Sequence, residues 1–219
     1  MRGLRLSPLV SAAQTITNVT SWLGFSRGIS PETYGEAPVW VTPQWDDLRI
    51  VPGAFDFAGN NDPALVNYQP GGSGATFKVY AFDQNDEVFF ACQFPHSYKP
   101  GSDIKAHVHW TPGANGTAEA GRTVYWALDY SWANINEVFT PSSSIAMPDV
   151  CDGTNHKHQM TSGVTIAGDG KSLSSQVLCR LYRLATDTWN GTAANAPIFI
   201  EFDFHFIKDT LGSREEAIK

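Results

Sequence analysis

The chain has 219 residues, of which 42% are hydrophobic and 17% are charged, and its formal net charge is −7. This length suits one sizeable domain, and the absence of a cationic run argues against a nucleic-acid partner. Because no stretch of about 18 apolar residues is present, we expect no membrane-spanning helix and no membrane partner. A charge content this low is typical of proteins that bury much of their surface against partners or copies of themselves.

Residues 1–38 differ in composition from the rest of the chain. Ser, Thr, Asn and Gly are frequent there, and no apolar period is sustained. We interpret this stretch as an extended N-terminal arm that could include a short helix near residues 11–23. Arms of this kind become ordered by binding a neighbouring subunit, so the arm is a candidate assembly contact. The first apolar run is broken by Ser7 and Pro8, which does not fit a secretory signal peptide.

From residue 39 onward the pattern is one of strands separated by turns. Strands are predicted at residues 39–41, 47–51, 76–82, 87–94, 104–110, 123–132, 164–166, 176–183 and 196–207. No helical crossover separates them, so the sheets are expected to be antiparallel. We therefore predict that residues 39–219 form one all-β domain, an antiparallel β-sandwich of jelly-roll type.

The last predicted strand has two contrasting faces. Its core face is predicted to carry Ile198, Ile200, Phe202, Phe204 and Phe206. Its opposite face carries Glu201, Asp203 and His205. Because successive side chains of a strand point to opposite sides, these three titratable groups form either one wall of a site or a solvated surface.

The predicted strand at residues 104–110 carries a partial metal-binding motif. Gly101, His107 and His109 match the opening of the cupin motif, G-x5-H-x-H. Two histidines at positions i and i+2 of a strand point the same way and can bind one divalent ion. The acidic residue that should follow the second histidine is missing, since Gly113 and Ala114 occupy its two places.

Further ligands for such an ion depend on which strands are neighbours. His205, Glu201 or Asp203 could complete the set if the two strands are adjacent. The alternative is that the histidines hydrogen-bond carboxylates across strands and face water or a subunit interface. Since the motif is half complete, we expect no cofactor, no catalytic residue and no bound metal. His107, His109 and His205 are the candidate ligands if a metal does bind.

Two other polar groups were weighed as sites. The Trp45-Asp46-Asp47 segment combines an aromatic with two carboxylates, as sugar-hydrolysing sites do. Adjacent strand residues face opposite ways, so we interpret the aspartates as turn caps and Trp45 as packed, while carbohydrate binding by surface aromatics stays open. His156 and His158 lie in a polar loop after Cys151, at a spacing that fits no zinc motif, and we interpret them as incidental.

Internal pairings are also predicted from the strand patterns. Cys92 and Cys179 lie in apolar strands, and the odd number of cysteines without a CxxC motif favours free thiols in a reducing compartment. Asp129 and Arg180 interrupt otherwise apolar strands, so we expect them to form an ion pair.

Four segments taken together resemble a family of tailed-bacteriophage and prophage proteins. They are WDDL at residues 45–48, PHSYKPGSDIKAHVHW at 95–110, WALDYSWANI at 126–135 and IEFDFHFIKDTLGSR at 200–214. The resemblance covers roughly residues 45–214 and leaves out the N-terminal arm.

The resemblance implies a virion structural protein with no enzymatic activity, assembled in the cytoplasm of the bacterial host. We expect a capsid decoration or cement protein that binds and stabilises the major-capsid lattice. Its partners would be the major capsid protein or other virion proteins, and copies of itself in a homo-oligomer such as a trimer. One alternative is a tail, neck or fibre-attachment component of the virion. An alternative from a different class is a cupin-like metal-binding enzyme that uses His107 and His109.

Overall fold

The computed structural model describes residues 30–34, 37–41, 44–191 and 195–213. The chain divides into two compact units, Met1–Pro43 and Gln44–Lys219. The predicted short helix near residues 11–23 and most of the predicted arm lie outside the described residues. None of the helices in the described ranges is long and apolar enough to cross a membrane.

The described elements are almost all strands. In chain order they are β1 (Ser30–Tyr34), β2 (Ala37–Val41), β3 (Gln44–Ile50), β4 (Ala64–Tyr68), β5 (Phe77–Ala81), β6 (Glu87–Gln93), β7 (Ile104–Thr111), β8 (Thr123–Ala133), β9 (Ser143–Val150), β10 (Gln159–Met160), β11 (Val164–Ile166), β12 (Gln176–Arg183) and β13 (Ile198–Lys208). Short 3₁₀ turns occupy Pro52–Ala54, Pro70–Gly72 and Gly113–Asn115. In the first unit, β1 and β2 pair antiparallel as a sheet of their own.

The second unit contains two antiparallel sheets. The first sheet has the strand order β4-β5-β13-β7, and β10 and β11 both pair with β7. The second sheet has the order β6-β12-β8-β9. Strands β5 to β8 alternate between the two sheets along the chain, and the last strand, β13, lies between β5 and β7. This order is that of a jelly roll, so the predicted all-β, jelly-roll sandwich is confirmed.

Strand β13 organises the first sheet. Its first part pairs with β5 through Ile198 and Phe199, and its second part pairs with β3 over residues 202–208. On its other side β13 pairs with β7. The three strands β3, β13 and β7 therefore lie side by side, and this arrangement positions the candidate site.

The core between the sheets is built largely from aromatic rings. Phe94 stacks on Trp132 of β8 with ring centroids 4.9 Å apart, and it also contacts Phe204 of β13. Trp126 meets Phe82 edge-on at 5.1 Å. Ring pairs of this kind contribute about 0.5–1.5 kcal/mol each to the free energy of unfolding, beyond the area they bury. These contacts join β8 of the second sheet to β13 of the first.

One position of β13 contradicts the predicted alternation. The pattern places Ile200 on the core face with Ile198 and Phe202, but Ile200 is 38% exposed and Phe199 is buried instead. The pairing with β7 shifts its register between Phe199 and Glu201, which marks a β-bulge. A bulge adds one residue to one strand of a pair, so the alternation reverses at a point that sequence periodicity does not reveal.

The outward face of the second sheet carries an ion network centred on β12. Arg180 Nε donates to Glu87 of β6, and Arg180 Nη1 donates to Asp129 Oδ2 of β8 at 3.0 Å. The predicted pairing of Asp129 with Arg180 is therefore confirmed. The Arg180 side chain is 38% exposed, so water solvates part of this network.

The three cysteines are buried free thiols. The predicted burial of Cys92 and Cys179 is confirmed. These two thiols are neighbours on β6 and β12, and burial raises the pKa of Cys179 well above its ordinary value. Burial also raises the pKa of Cys151. A thiol with a raised pKa stays protonated at neutral pH and is a weak nucleophile and metal ligand.

Candidate functional site

A cluster of histidines and aspartates lies on the outward face of the first sheet. Strand pairing puts Asp203 of β13 opposite His107 of β7, and His205 of β13 opposite Asp47 of β3. Directly opposite residues have their Cβ atoms about 4.5–5.5 Å apart, so side chains from three strands converge. The strands that carry His107 and His205 are therefore neighbours, a point that the sequence left open.

We call this group the histidine–aspartate cluster. Its members are Asp47, His107, His109, His158, Asp203 and His205. The alternative interpretation is correct in that His107 meets a carboxylate across strands, that of Asp203, but His107 does not face water, since it is 1% exposed. His107 is enclosed by other members, since its ring lies 5.0 Å from that of His109 and 4.2 Å from that of His205.

Three side chains of the cluster have the mutual spacing of metal ligands. His107 Nε2 is 3.2 Å from His109 Nε2, and His109 Nε2 is 3.5 Å from Asp203 Oδ2. His107 Nε2 also lies against Asp203 Oδ1. Ligand atoms bound at about 2.0–2.1 Å to a tetrahedral ion are about 3.3–3.4 Å from one another. His107, His109 and Asp203 can therefore hold one ion without rearrangement of their strands.

A second set overlaps with the first and lies nearer to solvent. His205 Nε2 is 2.9 Å from Asp47 Oδ1 and 4.0 Å from Asp203 Oδ2. The Asp47 side chain is about half exposed. Asp203 belongs to both sets, so its carboxylate is the centre of the cluster.

Asp203 carries a buried charge with few partners. Its side chain is 4% exposed, and Oδ1 accepts no hydrogen bond from any residue that the structure describes, although it lies against His107. Among the described residues, the basic groups within 4.0 Å of this carboxylate are the imidazoles of His107, His109 and His205. A buried carboxylate is costly unless a counter-charge accompanies it, so a positive charge in the cluster, on an imidazole or on a bound ion, would stabilise it.

Neighbouring carboxylates have cationic partners of their own. Arg49 Nε donates to Glu201 Oε1 at 2.6 Å, and Arg49 Nη2 bonds the second carboxylate oxygen. Lys208 Nζ donates to Asp46 Oδ2 at 2.8 Å, and this hydrogen bond lowers the pKa of Asp46. Arg49, on the cluster's face of the sheet, is thus engaged with Glu201, whereas Asp46 and Lys208 alternate to the opposite face. The basic groups in contact with Asp203 are the imidazoles.

His158 reaches the cluster from a different part of the chain. Strand β10 follows it and pairs with β7, and Thr161 exchanges two hydrogen bonds of 3.0 Å with the backbone of Val108. This pairing places His158 Nε2 2.7 Å from His109 Nδ1. Each ring nitrogen of His109 therefore has a defined neighbour, His158 at Nδ1 and the pair of His107 and Asp203 at Nε2.

The protonation of His109 suits metal binding. Burial lowers the pKa of His109, although the nearby Asp203 carboxylate raises it in part. The lowered pKa favours the neutral imidazole, which is the form that binds metal ions. If its proton is on Nδ1, His109 donates to His158 and leaves the lone pair of Nε2 directed at His107 and Asp203.

Two members of the cluster were missed by sequence reasoning. Asp47 lies within β3 and faces His205, whereas the sequence interpretation made it a turn cap. Its neighbour Trp45 is 53% exposed instead of packed. The alternation of β3, which puts Trp45, Asp47 and Arg49 on one face, was a usable signal. For His158 no sequence signal existed, because its position depends on the pairing of β10 with β7.

The other loop histidine is separate from the cluster. His156 Nδ1 is 3.3 Å from the hydroxyl of Tyr68, and the two rings pack with centroids 5.7 Å apart. Its interpretation as a residue without a metal-binding role agrees with this position. His156 therefore offers a histidine in the same loop as His158 that can serve as a control.

No protein-family model matches the sequence, and no curated protein matches it. Among solved structures, a family 35 carbohydrate binding module from Clostridium thermocellum is 14% identical, with 73% of this chain and 97% of that chain covered and a TM-score of 0.40. A xylan-binding module, CBM15, is 11% identical, with coverage of 75% and 99% and a TM-score of 0.35. A Paenibacillus cycloisomaltooligosaccharide glucanotransferase is 14% identical, with 72% of this chain but 18% of that chain covered and a TM-score of 0.38. Likenesses this weak carry no argument about binding or activity.

Proposed function

We propose that this protein is a structural subunit of a bacteriophage virion, specifically a capsid decoration or cement protein that binds the major-capsid lattice. The observation that carries the proposal is the placement of the four phage-like segments. WDDL falls on β3, the segment ending in HVHW on β7, WALDYSWANI on β8 and IEFDFHFIKDTLGSR on β13. Three of these strands are neighbours in one sheet, so the segments describe one connected part of one domain.

The proposed role needs surfaces that can bind other subunits. The sandwich exposes large apolar side chains near its β4–β5 edge, including Phe57, Leu65 and Phe77. Apolar surface of this kind is stabilised when a partner removes it from water. Residues 1–38 would supply a further contact to a neighbouring subunit. Many weak contacts repeated around a shell hold strongly when several form at once.

The first test locates the protein on the parent virion. Immunogold electron microscopy with antibody raised against residues 44–219 should label the whole head, and quantitative mass spectrometry should give hundreds of copies per particle. Label confined to a single vertex or the tail, at a few to tens of copies, would instead support a neck, tail or fibre-attachment component. Intact and permeabilised particles that bind no antibody would overturn the virion assignment.

The arm provides a second test of the decoration role. A chain lacking residues 1–38 should stay folded, by circular dichroism and cooperative melting, and should fail to bind particles that lack the native protein. The full-length chain is the matched control in the same binding assay. Full particle binding by the truncated chain would contradict the assembly function proposed for the arm.

The histidine–aspartate cluster favours a second candidate, a cupin-like metal-binding enzyme that uses His107 and His109. Catalytic metal sites keep one coordination position open to substrate, and three protein ligands would leave one here. The cupin motif is half complete, because Gly113 and Ala114 stand where its acidic residue should be, so the enzyme is placed second. Metal-dependent turnover that is lost in His107→Asn would reverse that order.

A further inference from the structure

The histidine–aspartate cluster has no part in the proposed virion role, yet it joins distant parts of the chain. Its side chains come from β3, β7, β13 and the segment before β10. Neighbouring polar groups on the same face have complete ion pairs, as Arg49 with Glu201 shows. The cluster is thus a distinct chemical unit that calls for an explanation of its own.

We propose that His107, His109 and Asp203 bind one divalent first-row transition-metal ion, with zinc as the ion that fits best. The ligating atoms are the Nε2 atoms of the two histidines and a carboxylate oxygen of Asp203. Two imidazoles and one carboxylate are a mixed nitrogen and oxygen donor set, which suits zinc and its neighbours. Calcium and magnesium prefer ligand sets made of oxygen alone.

The spacing of the ligands favours an ion over a hydrogen-bonded network. The distances of 3.2 Å and 3.5 Å from His109 Nε2 to His107 Nε2 and Asp203 Oδ2 are close to the edge of a tetrahedron around zinc, about 3.3–3.4 Å. The longer of them exceeds the usual range of a hydrogen bond from nitrogen to oxygen. His107 Nε2 also lies against Asp203 Oδ1, closer than that edge, so an ion bound there would move these two side chains slightly apart. A shared ion would account for three ligand atoms that converge on one point.

The charge of the cluster leads to the same inference independently. Asp203 Oδ1 is buried and, within the described residues, lacks a hydrogen-bond donor. On the same face of the sheet, Arg49 bonds Glu201. Lys105, which lies opposite His205 on β7, holds its Nζ over the ring of Trp45, 5.4 Å from the ring centroid. A divalent ion bound to the carboxylate supplies the missing positive charge at the place where it is buried.

The surroundings of His109 match those of a metal ligand. A histidine that binds a metal through one nitrogen usually hydrogen-bonds through the other, which fixes the tautomer and the ring orientation. His109 Nδ1 has such a partner in His158 Nε2, at 2.7 Å. His205, held by Asp47 at 2.9 Å, flanks the same carboxylate. His158 and His205 are therefore positioning residues around the three ligands.

An ion at this position has a structural role. It would tie β7 to β13, the last strand of the domain, on the face opposite the aromatic core. Three protein ligands leave the fourth position of a tetrahedral ion to water, so the structural role rests on the tie between two strands and not on a closed coordination sphere. The ion would therefore stabilise the sandwich and leave its surfaces free for assembly contacts.

The experiment measures zinc binding by the full-length chain. Purified protein is stripped with a chelator, incubated with zinc chloride, desalted and assayed for metal per chain by inductively coupled plasma mass spectrometry. We expect one equivalent of zinc in the wild type. With zinc at a hundredfold excess over its dissociation constant, we also expect Tm to rise by about 5–11 °C relative to EDTA.

Matched substitutions assign the ion to the cluster. His107→Asn and His109→Asn should lose the zinc equivalent and the rise in Tm, whereas His156→Asn should keep both, since His156 bonds Tyr68. Asp203→Asn preserves side-chain shape and serves if either histidine variant fails to fold. Wild-type protein that retains no zinc and shows no change in Tm would overturn the proposal, as would full zinc binding by folded His107→Asn or Asp203→Asn. These outcomes are independent of where the protein lies on the virion.

Discussion

The two outward faces of the sandwich carry charged groups at the same place, the middle of three paired strands, and satisfy them differently. On the second sheet, Arg180 of β12 binds Glu87 and Asp129 on both flanking strands and remains 38% exposed. On the first sheet, Asp203 of β13 is 4% exposed and faces imidazoles. The carboxylates around Arg180 share an arginine, whereas the basic groups within 4.0 Å of Asp203 among the described residues are imidazoles.

The difference shows that burial, more than the number of charges, decides how much a charged group on each face depends on a partner of opposite charge. Exposed ion pairs contribute about 0–1 kcal/mol, because water solvates the partners nearly as well as they solvate each other. A buried charge whose partner is missing costs about 3–5 kcal/mol. The same three-strand geometry therefore gives a minor surface contact around Arg180 and, around Asp203, a buried carboxylate that a bound cation would stabilise.

The largest expected effect belongs to Asp203→Asn, which removes the charge and keeps the shape. At a zinc concentration a hundredfold above its dissociation constant, the wild type should gain about 2.7 kcal/mol, and the variant should lose this gain. In EDTA the variant should melt no lower than the wild type, because it carries no uncompensated buried charge. Differential scanning calorimetry in both buffers measures this. A variant that melts well below the wild type in EDTA would mean that the protein alone satisfies the carboxylate.

His158→Ala should have the next largest effect, on zinc affinity alone. Loss of the hydrogen bond to His109 Nδ1 should weaken zinc binding by about 10–100-fold, because the ligand ring is no longer held in place. Isothermal titration calorimetry should still find one ion per chain. His156→Asn is the control from the same loop. Unchanged affinity in His158→Ala would show that His109 is oriented by other contacts.

A smaller effect is expected on the opposite face. Arg180→Met keeps much of the aliphatic stem and removes the charge, so the free energy of unfolding should fall by about 1 kcal/mol or less. Urea denaturation measures the change, and zinc binding should be unaffected. A loss of about 3 kcal/mol or more would indicate that the network around Arg180 behaves as a buried one and would remove the contrast between the faces.

The smallest effect concerns ionic strength. Raising the salt concentration to about 1 M shortens the Debye length to about 3 Å, which should remove a few tenths of a kcal/mol from the Arg180 network, roughly 0.2–0.5 kcal/mol. The zinc-dependent gain in stability should persist because the ion and Asp203 are shielded from solvent. Urea denaturation of the wild type and of Arg180→Met is measured at low and high salt, each with and without zinc. The comparison separates the salt effect on the Arg180 network from the effect on the zinc-dependent stability. If salt reduced the zinc-dependent gain in stability as much as it reduces the contribution of the Arg180 network, the two faces would not differ in how well solvent reaches their charges.

Local patterns predicted the fold class and most of its strands, but they missed four strands, β1, β4, β9 and β10. Strict alternation in the segment IKAHVHW predicted both the core face of β7 and the common face of His107 and His109. The absence of helical crossover patterns predicted antiparallel sheets, and the strand order agrees with the predicted jelly roll. These features depend on residues close together in sequence, which is why periodicity alone could predict them.

The site depended on information that periodicity lacks. Whether Asp203 meets His107 is decided by the register of β13 against β7, and whether Asp47 joins them is decided by β3 pairing with the other side of β13. The bulge beside Ile200 and the approach of His158 are likewise products of long-range pairing. Sequence could therefore name His107, His109 and His205, and Asp203 as a possible further ligand, but not the pairing that buries the Asp203 carboxylate among the imidazoles.

The most direct test of this account is zinc K-edge X-ray absorption on the zinc-loaded, full-length protein. We predict scattering from two imidazole rings with zinc–nitrogen distances of about 2.0–2.1 Å and an oxygen ligand at about 2.0–2.2 Å, and no zinc retained by His107→Asn after the same treatment. A spectrum dominated by sulfur at about 2.3 Å would move the metal to the cysteines. A spectrum of oxygen neighbours alone would show that the histidines do not bind it, and either result would contradict the site at Asp203.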